Sequence, residues 1–165
     1  MANSSSIGRA KNLIARYLIQ DDAIVQAIEP PKDMDAEDMI GKYIFTYHQN
    51  PLTLQDVDTF ITIQVQIPQL GWHERAETRV FPQIVIWIIS HQRHMKVDNI
   101  PKITANRNDY LSQLIDEKLN GNSNFGLGKL SMISNVEGAV QQEYLYRTIT
   151  FQGTDINDSF CFDDE

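Results

Sequence analysis

The run Ile84-Val85-Ile86-Trp87-Ile88-Ile89 constrains this chain more than any other stretch. Six consecutive apolar residues, mostly β-branched, have to be buried on every side. Phe81-Pro82 before them and Ser90-His91-Gln92-Arg93 after them limit the run to strand length. The segment therefore reads as a strand covered on both faces. Upstream, Ile61, Ile63, Val65 and Ile67 alternate with Thr62, Gln64 and Gln66, the period of a strand with one face inward. The strongest signals in the chain thus build a sheet, and none of them names a chemistry.

The remaining elements follow from period and punctuation. Leu13, Ile14, Tyr17 and Leu18 fall at helical spacing, with Arg9, Lys11 and Arg16 on the wet side. Asp21 or Asp22 can cap a second short helix that carries Ala23, Ile24, Ala27 and Ile28, and Pro30-Pro31 ends it. A first strand is expected over 42–48, with Tyr43, Phe45 and Tyr47 on one face. The second is expected over 59–67 and the third over 81–91. The 69–80 link between them forms either a long-armed hairpin or a mobile loop. Asn106 can cap a helix to Leu119, with Leu111, Leu114, Ile115, Lys118 and Leu119 as its stripe and Asn120-Gly121 as a left-handed stop. A fourth strand over 127–134, a turn near Glu137-Gly138 and a fifth strand over 144–152 complete the list. Hairpin-like connections dominate. The expected class is α+β: a mainly antiparallel five-stranded sheet, with an N-terminal helix pair and one central helix packed on one face. Residues 1–153 read as one domain and 154–165 as an acidic C-terminal tail.

At 165 residues the chain can bury about 70% of its unfolded surface. A net charge of −8 argues against coating a nucleic-acid duplex, which needs clustered Lys and Arg. The single cysteine, Cys161, excludes an internal disulfide. Met1–Gly8 lacks the apolar stretch of a secretion signal, and no run approaches the ~20 residues of a membrane span. These points read as a soluble chain made in the cytoplasm, with no membrane partner.

No catalytic or metal set emerges. His91 and His94 lie three apart, but without HExxH or a cysteine pair they read as a solvated strand exit. The glycine-rich stretch Gly121–Lys129 follows a helix and precedes a strand, the reverse of a phosphate-binding loop. Asp33, Asp35, Glu37 and Asp38 lack the glycine and closing glutamate of a calcium loop. There is no GxSxG elbow. We therefore expect no enzyme activity and no cofactor. His73 and Glu74 could pair as acid and base, yet Trp72-His73-Glu74-Arg75 reads better as a loop tip that anchors a partner.

The succession is distinctive. An amphipathic helix ends at Leu18, a turn restarts at Asp21-Asp22 and closes at Ala27-Ile28, and a strand opens at Lys42-Tyr43-Ile44. The strands 60–67 and 84–89, the helix 110–119 and the strand 127–133 follow. Over roughly residues 9–152 this order resembles the tail-terminator and tail-completion proteins of long-tailed bacteriophages, and related neck proteins at the head–tail junction. The acidic ending after Phe151 and the long 29–41 loop have no counterpart in that pattern. The resemblance implies a virion protein, made in the host cytoplasm. It would form a homo-oligomeric ring, commonly a hexamer, that contacts the tail tube and the neck or connector proteins and lets DNA pass without specific binding. The residues expected at such interfaces are Leu52 and Leu54 in the 51–58 loop, Trp72, His73, Glu74 and Arg75 in the 69–80 loop, and Asp155, Phe160 and Phe162 in the tail. A small ligand-binding or enzymatic α+β domain, or a regulatory adaptor module, is the alternative, because fold alone does not dictate function.

Overall fold

The computed structural model describes residues 4–49, 56–67, 70–71 and 79–154. Helix α1 spans Ser4–Ile19 and buries Ala10, Ile14, Ala15, Leu18 and Ile19. Leu13, expected in that stripe, is turned outward instead and is 36% exposed. Lys11 is tied inward by donating from Nζ to the Thr46 carbonyl at 3.0 Å. Helix α2 spans Asp22–Ile28, and Asp21 is its cap, accepting from the Ala23 and Ile24 N–H groups. Glu29 then turns left-handed at φ 62°, and the two prolines follow.

The main sheet has five strands in the order β1-β2-β5-β7-β6. They are β1 (Ile44–Phe45), β2 (Thr59–Gln66), β5 (Gln83–His91), β6 (Lys129–Ala139) and β7 (Tyr144–Thr154). Between β2 and β5, β3 (Leu70–Gly71) and β4 (Arg79–Val80) form a separate antiparallel ladder, so the link is an armed hairpin. β1 pairs parallel with β2, and every other pairing in the main sheet is antiparallel. The expected α+β class, mainly antiparallel with five strands, is what forms.

Two boundaries differ for local reasons. The strand expected over 42–48 shrinks to two residues because the Met39 carbonyl takes the N–H groups of both Lys42 and Tyr43, which holds them in a turn. The turn expected at Glu137-Gly138 is strand: Glu137 pairs with Arg147 and Gly138 with Tyr146, and the reversal falls at 140–143. The Arg147 guanidinium bridges Glu137 at 2.9 Å and also reaches Asp109 on the next helix, so the ladder is held where sequence signals a break.

All three helices cover one face. Helix α3 (Arg107–Leu119) is capped by Asn106, which accepts from the Asp109 N–H, and it buries Leu111, Ile115 and Leu119. Gly121, at φ +80°, gives the left-handed stop. The core joins these helices to Ile61, Ile63 and Val65 of β2, Ile84, Ile86 and Ile88 of β5, and Ile149 and Phe151 of β7. The opposite face has its own smaller cluster of Phe45, Phe60, Ile89 and Tyr144, with Tyr43, Trp87 and Tyr146 packed on it. β5 is therefore covered on both sides, as its unbroken apolar run requires. At the end of β7, the Gly153 N–H donates to the Pro82 carbonyl at 2.8 Å, and a Cβ at this position would collide with the Leu127 carbonyl oxygen.

Candidate interaction surface

β6 is an edge strand of eleven residues, and most of its side chains are exposed. The loop after α3 occupies the start of its outer edge. Leu130 N–H donates to the Asn122 carbonyl, the Leu130 carbonyl accepts from Gly121, and Met132 N–H donates to Asn120 Oδ1. From Ile133 to Ala139 no other described residue pairs that edge. Such an edge is a template for another strand, and folded chains usually blunt it with charge, proline or brevity. β6 has little of this protection. It carries one irregularity, where Ile133 is bulged out between Met132 and Ser134.

Apolar side chains gather on the same strand. Seven large apolar residues are exposed among the described ones, and four of them, Met132, Ile133, Val136 and Val140, lie on β6 or directly after it. Val136 is 56% exposed and Ile133 51%. The four do not share one face, since Met132 stands opposite the core residue Phe151 and Val136 opposite Thr148 on the other side, but together they make this open edge apolar. Two rows of the adjoining helix-free face carry no charge. Cross-strand register places Gln66, Gln83, Gln152 and Ser131 in one row and Thr62, Trp87, Thr148 and Val136 in another. None is acidic or basic, and Lys129 stands only at the rim. In the second row Thr62 Oγ1, Trp87 Nε1 and Thr148 Oγ1 are buried without a hydrogen-bond partner.

The far end of β5 carries the chain's main polar cluster. His91 and His94, expected at a solvated exit, are enclosed: His91 is 7% exposed, and the His94 side chain 16%. His94 Nδ1 lies 2.8 Å from Thr59 Oγ1, which lies 2.8 Å from Ser90 Oγ, and Ser90 donates to Asn108 Oδ1 at 2.6 Å. His94 Nε2 is 3.2 Å from Glu29. Beside it Arg107, 1% exposed, donates to the Ala27, His94 and Lys96 carbonyls and to Glu29 Oε2. Burial and then the Arg107 charge lower the His94 pKa, against the opposing pull of Glu29 and Asp58. Burial likewise raises Asp58. Every donor of this cluster is directed at a backbone or a neighbouring side chain, so its chemistry is that of a clasp joining α2, β2, β5 and α3. Among the described residues no group of three or more His, Cys, Asp or Glu is placed to hold a metal ion.

All nine interface residues expected from sequence, Leu52, Leu54, Trp72, His73, Glu74, Arg75, Asp155, Phe160 and Phe162, lie outside the described residues. Cys161 does too. The β6 surface was missed by sequence reasoning for two reasons. The bulge at Ile133 breaks the alternation, and Glu137-Gly138 reads as a turn. The available signal was the excess of uncovered apolar residues, Met132, Ile133, Val136 and Val140, in a stretch otherwise rich in Ser, Asn and Glu.

The molecule is thus an α+β domain with one helix-covered sheet face and an open apolar edge. It shares its fold with a chain in a solved structure described as the virion of a native gene transfer agent particle. The TM-score is 0.60 at 10% identity, over 94% of this chain and 100% of that one. The chain belongs to the YomW family, whose model matches residues 12–152. No curated protein matches it. No helix among the described residues is long and apolar enough to cross a membrane.

Proposed function

We propose that this chain is a virion structural protein that works by assembling with other subunits. More specifically, it would form a ring, of six copies in the arrangement the phage resemblance implies, at the junction of head and tail. There it terminates or completes the tail tube, contacts the neck proteins and lets DNA pass ungripped. The observation that carries this reading is the shared fold: the whole of a chain from the gene transfer agent virion aligns with nearly all of this one. The order of elements that resembles tail-terminator and tail-completion proteins agrees with it.

The physical requirements agree as well. A ring subunit has to offer distinct complementary surfaces. The β3–β4 ladder between β2 and β5 and the open β6 edge are two separate candidates for such surfaces. A net charge of −8 favours sliding DNA over binding it. The buried polar cluster around His94 and Arg107 is spent on an internal clasp, and we read the protein as non-enzymatic, made in the host cytoplasm and carried in the particle. Negative-stain microscopy of the purified chain, alone and mixed with tail tubes of the same particle, tests this. Closed rings or caps at tube ends are expected. Particles that stay single and leave tube ends bare would overturn the reading.

A further inference from the structure

The outer edge of β6 carries a single charged residue over the stretch it leaves open. From Ile133 to Ala139 the sequence is Ile-Ser-Asn-Val-Glu-Gly-Ala, and its one charge, Glu137, is bridged at 2.9 Å by Arg147, which it shares with Asp109. Two molecules of charge −8 repel over most approaches. Edge to edge along this stretch each copy brings only Glu137, partly compensated by Arg147.

The stretch is also complementary to itself. Laid antiparallel against an identical copy and centred on Val136, it sets Val136 opposite Val136, Asn135 opposite Glu137, Ser134 opposite Gly138 and Ile133 opposite Ala139. The exposed Val136 side chains then cover each other, and Glu137 stands opposite a neutral residue, Asn135, whose amide already donates to Ser112. Centring the pair on Glu137 instead would set Glu137 against Glu137, a like-charge pair that destabilises strand pairing. Charge thus disfavours that register, and mutual cover of the exposed Val136 side chains favours the one centred on Val136. We propose that β6 is a self-pairing edge: a second copy of this chain adds its own β6 antiparallel about Val136, joining two five-stranded sheets into one. This contact is two-fold, whereas a cyclic ring closes head to tail. It is therefore a pairing of free subunits, or of one ring with another, and does not rest on the ring.

Disulfide trapping tests it in the full-length protein. Opposed residues of an antiparallel pair have Cα atoms about 4.5–5.5 Å apart, inside disulfide range. Val136→Cys in a Cys161→Ser background should therefore form a covalent dimer under mild oxidation. Ile133→Cys in the same background should not, because its two copies lie six positions out of register, about 20 Å apart. Val136→Lys sets two ammonium groups face to face and should yield a monomer in sedimentation, with an unchanged thermal midpoint. Crosslinking at Val136 no faster than at Ile133, a wild type that stays monomeric at every concentration, or an oligomer untouched by Val136→Lys would each overturn the pairing. Rings or tube caps without Val136 crosslinking would leave the virion reading standing and remove this one. Crosslinked dimers that never engage tubes would do the opposite.

Discussion

Arg107 Nη2 lies 2.8 Å from Glu29 Oε2, linking the first turn of α3 to the left-handed residue that ends α2. The guanidinium is 1% exposed, and its remaining donors hold the Ala27, His94 and Lys96 carbonyls. Arg107→Ala removes all these donors and leaves carbonyls facing a gap. The expected loss is about 3–5 kcal/mol, by analogy with breaking a buried pair. Chemical denaturation checks this value. Glu29→Gln, at a half-exposed carboxylate, should cost well under half as much.

His94 gives the clasp a pH dependence of definite sign. Its pKa lies below 6.5 in the folded protein, chiefly through burial and then the Arg107 charge. The unfolded chain therefore binds more protons in this window, and stability rises with pH across it. Stability should be full above pH 6.5 and decline as pH falls from 6.5 through the folded value of His94. Asp58, raised by burial, acts in the opposite sense in a lower window that starts at 3.8. His94→Gln should flatten the upper slope. Unfolding free energies measured between pH 5 and 8 that show no such slope in the wild type would refute the assignment.

Thr62 is fully buried in the middle of β2, and its hydroxyl has no partner. Thr62→Val keeps the branched shape and removes the unpaired oxygen. It should stabilise the fold by about 1 kcal/mol. A loss of that size in the denaturation midpoint would mean that the hydroxyl is satisfied in solution.

Trp72 lies outside the described residues, and its role in contact is a proposal. Trp72→Ala should weaken oligomer or tube assembly by tenfold or more, about 1.4 kcal/mol, while the unfolding midpoint of the subunit barely moves. Equal losses in assembly and folding would assign the ring to the subunit's own core.

The sheet was legible because burial on two faces leaves its mark on every residue: Ile84–Ile89 can be little else than an inner strand. The caps were legible too, since Asp21, Asn106 and Gly121 each perform a local task that needs no tertiary knowledge. Extents were harder to read. The Arg147 bridges to Glu137 and Asp109 carry β6 past an apparent turn, and the Met39 carbonyl shortens β1. The first effect needs residues far apart in the chain, and the second is a local turn that the alternation of Tyr43, Phe45 and Tyr47 hides. The candidate surface was hidden for a related reason. An edge is defined by which strand has no neighbour, and strand order is not written in any local pattern. The enclosure of His94 likewise needs α2, β2, β5 and α3 brought together.

Gly153 completes the arrangement at the other end of β7. Its slot, between the Pro82 and Leu127 carbonyls, accepts no side chain. Were β7 to slide by one position, Gln152 or Thr154 would have to enter that slot, and neither fits. A single missing methyl therefore works as a detent for the strand that joins the sheet's interior to its free border, and it decides which side chains that border can show the outside world.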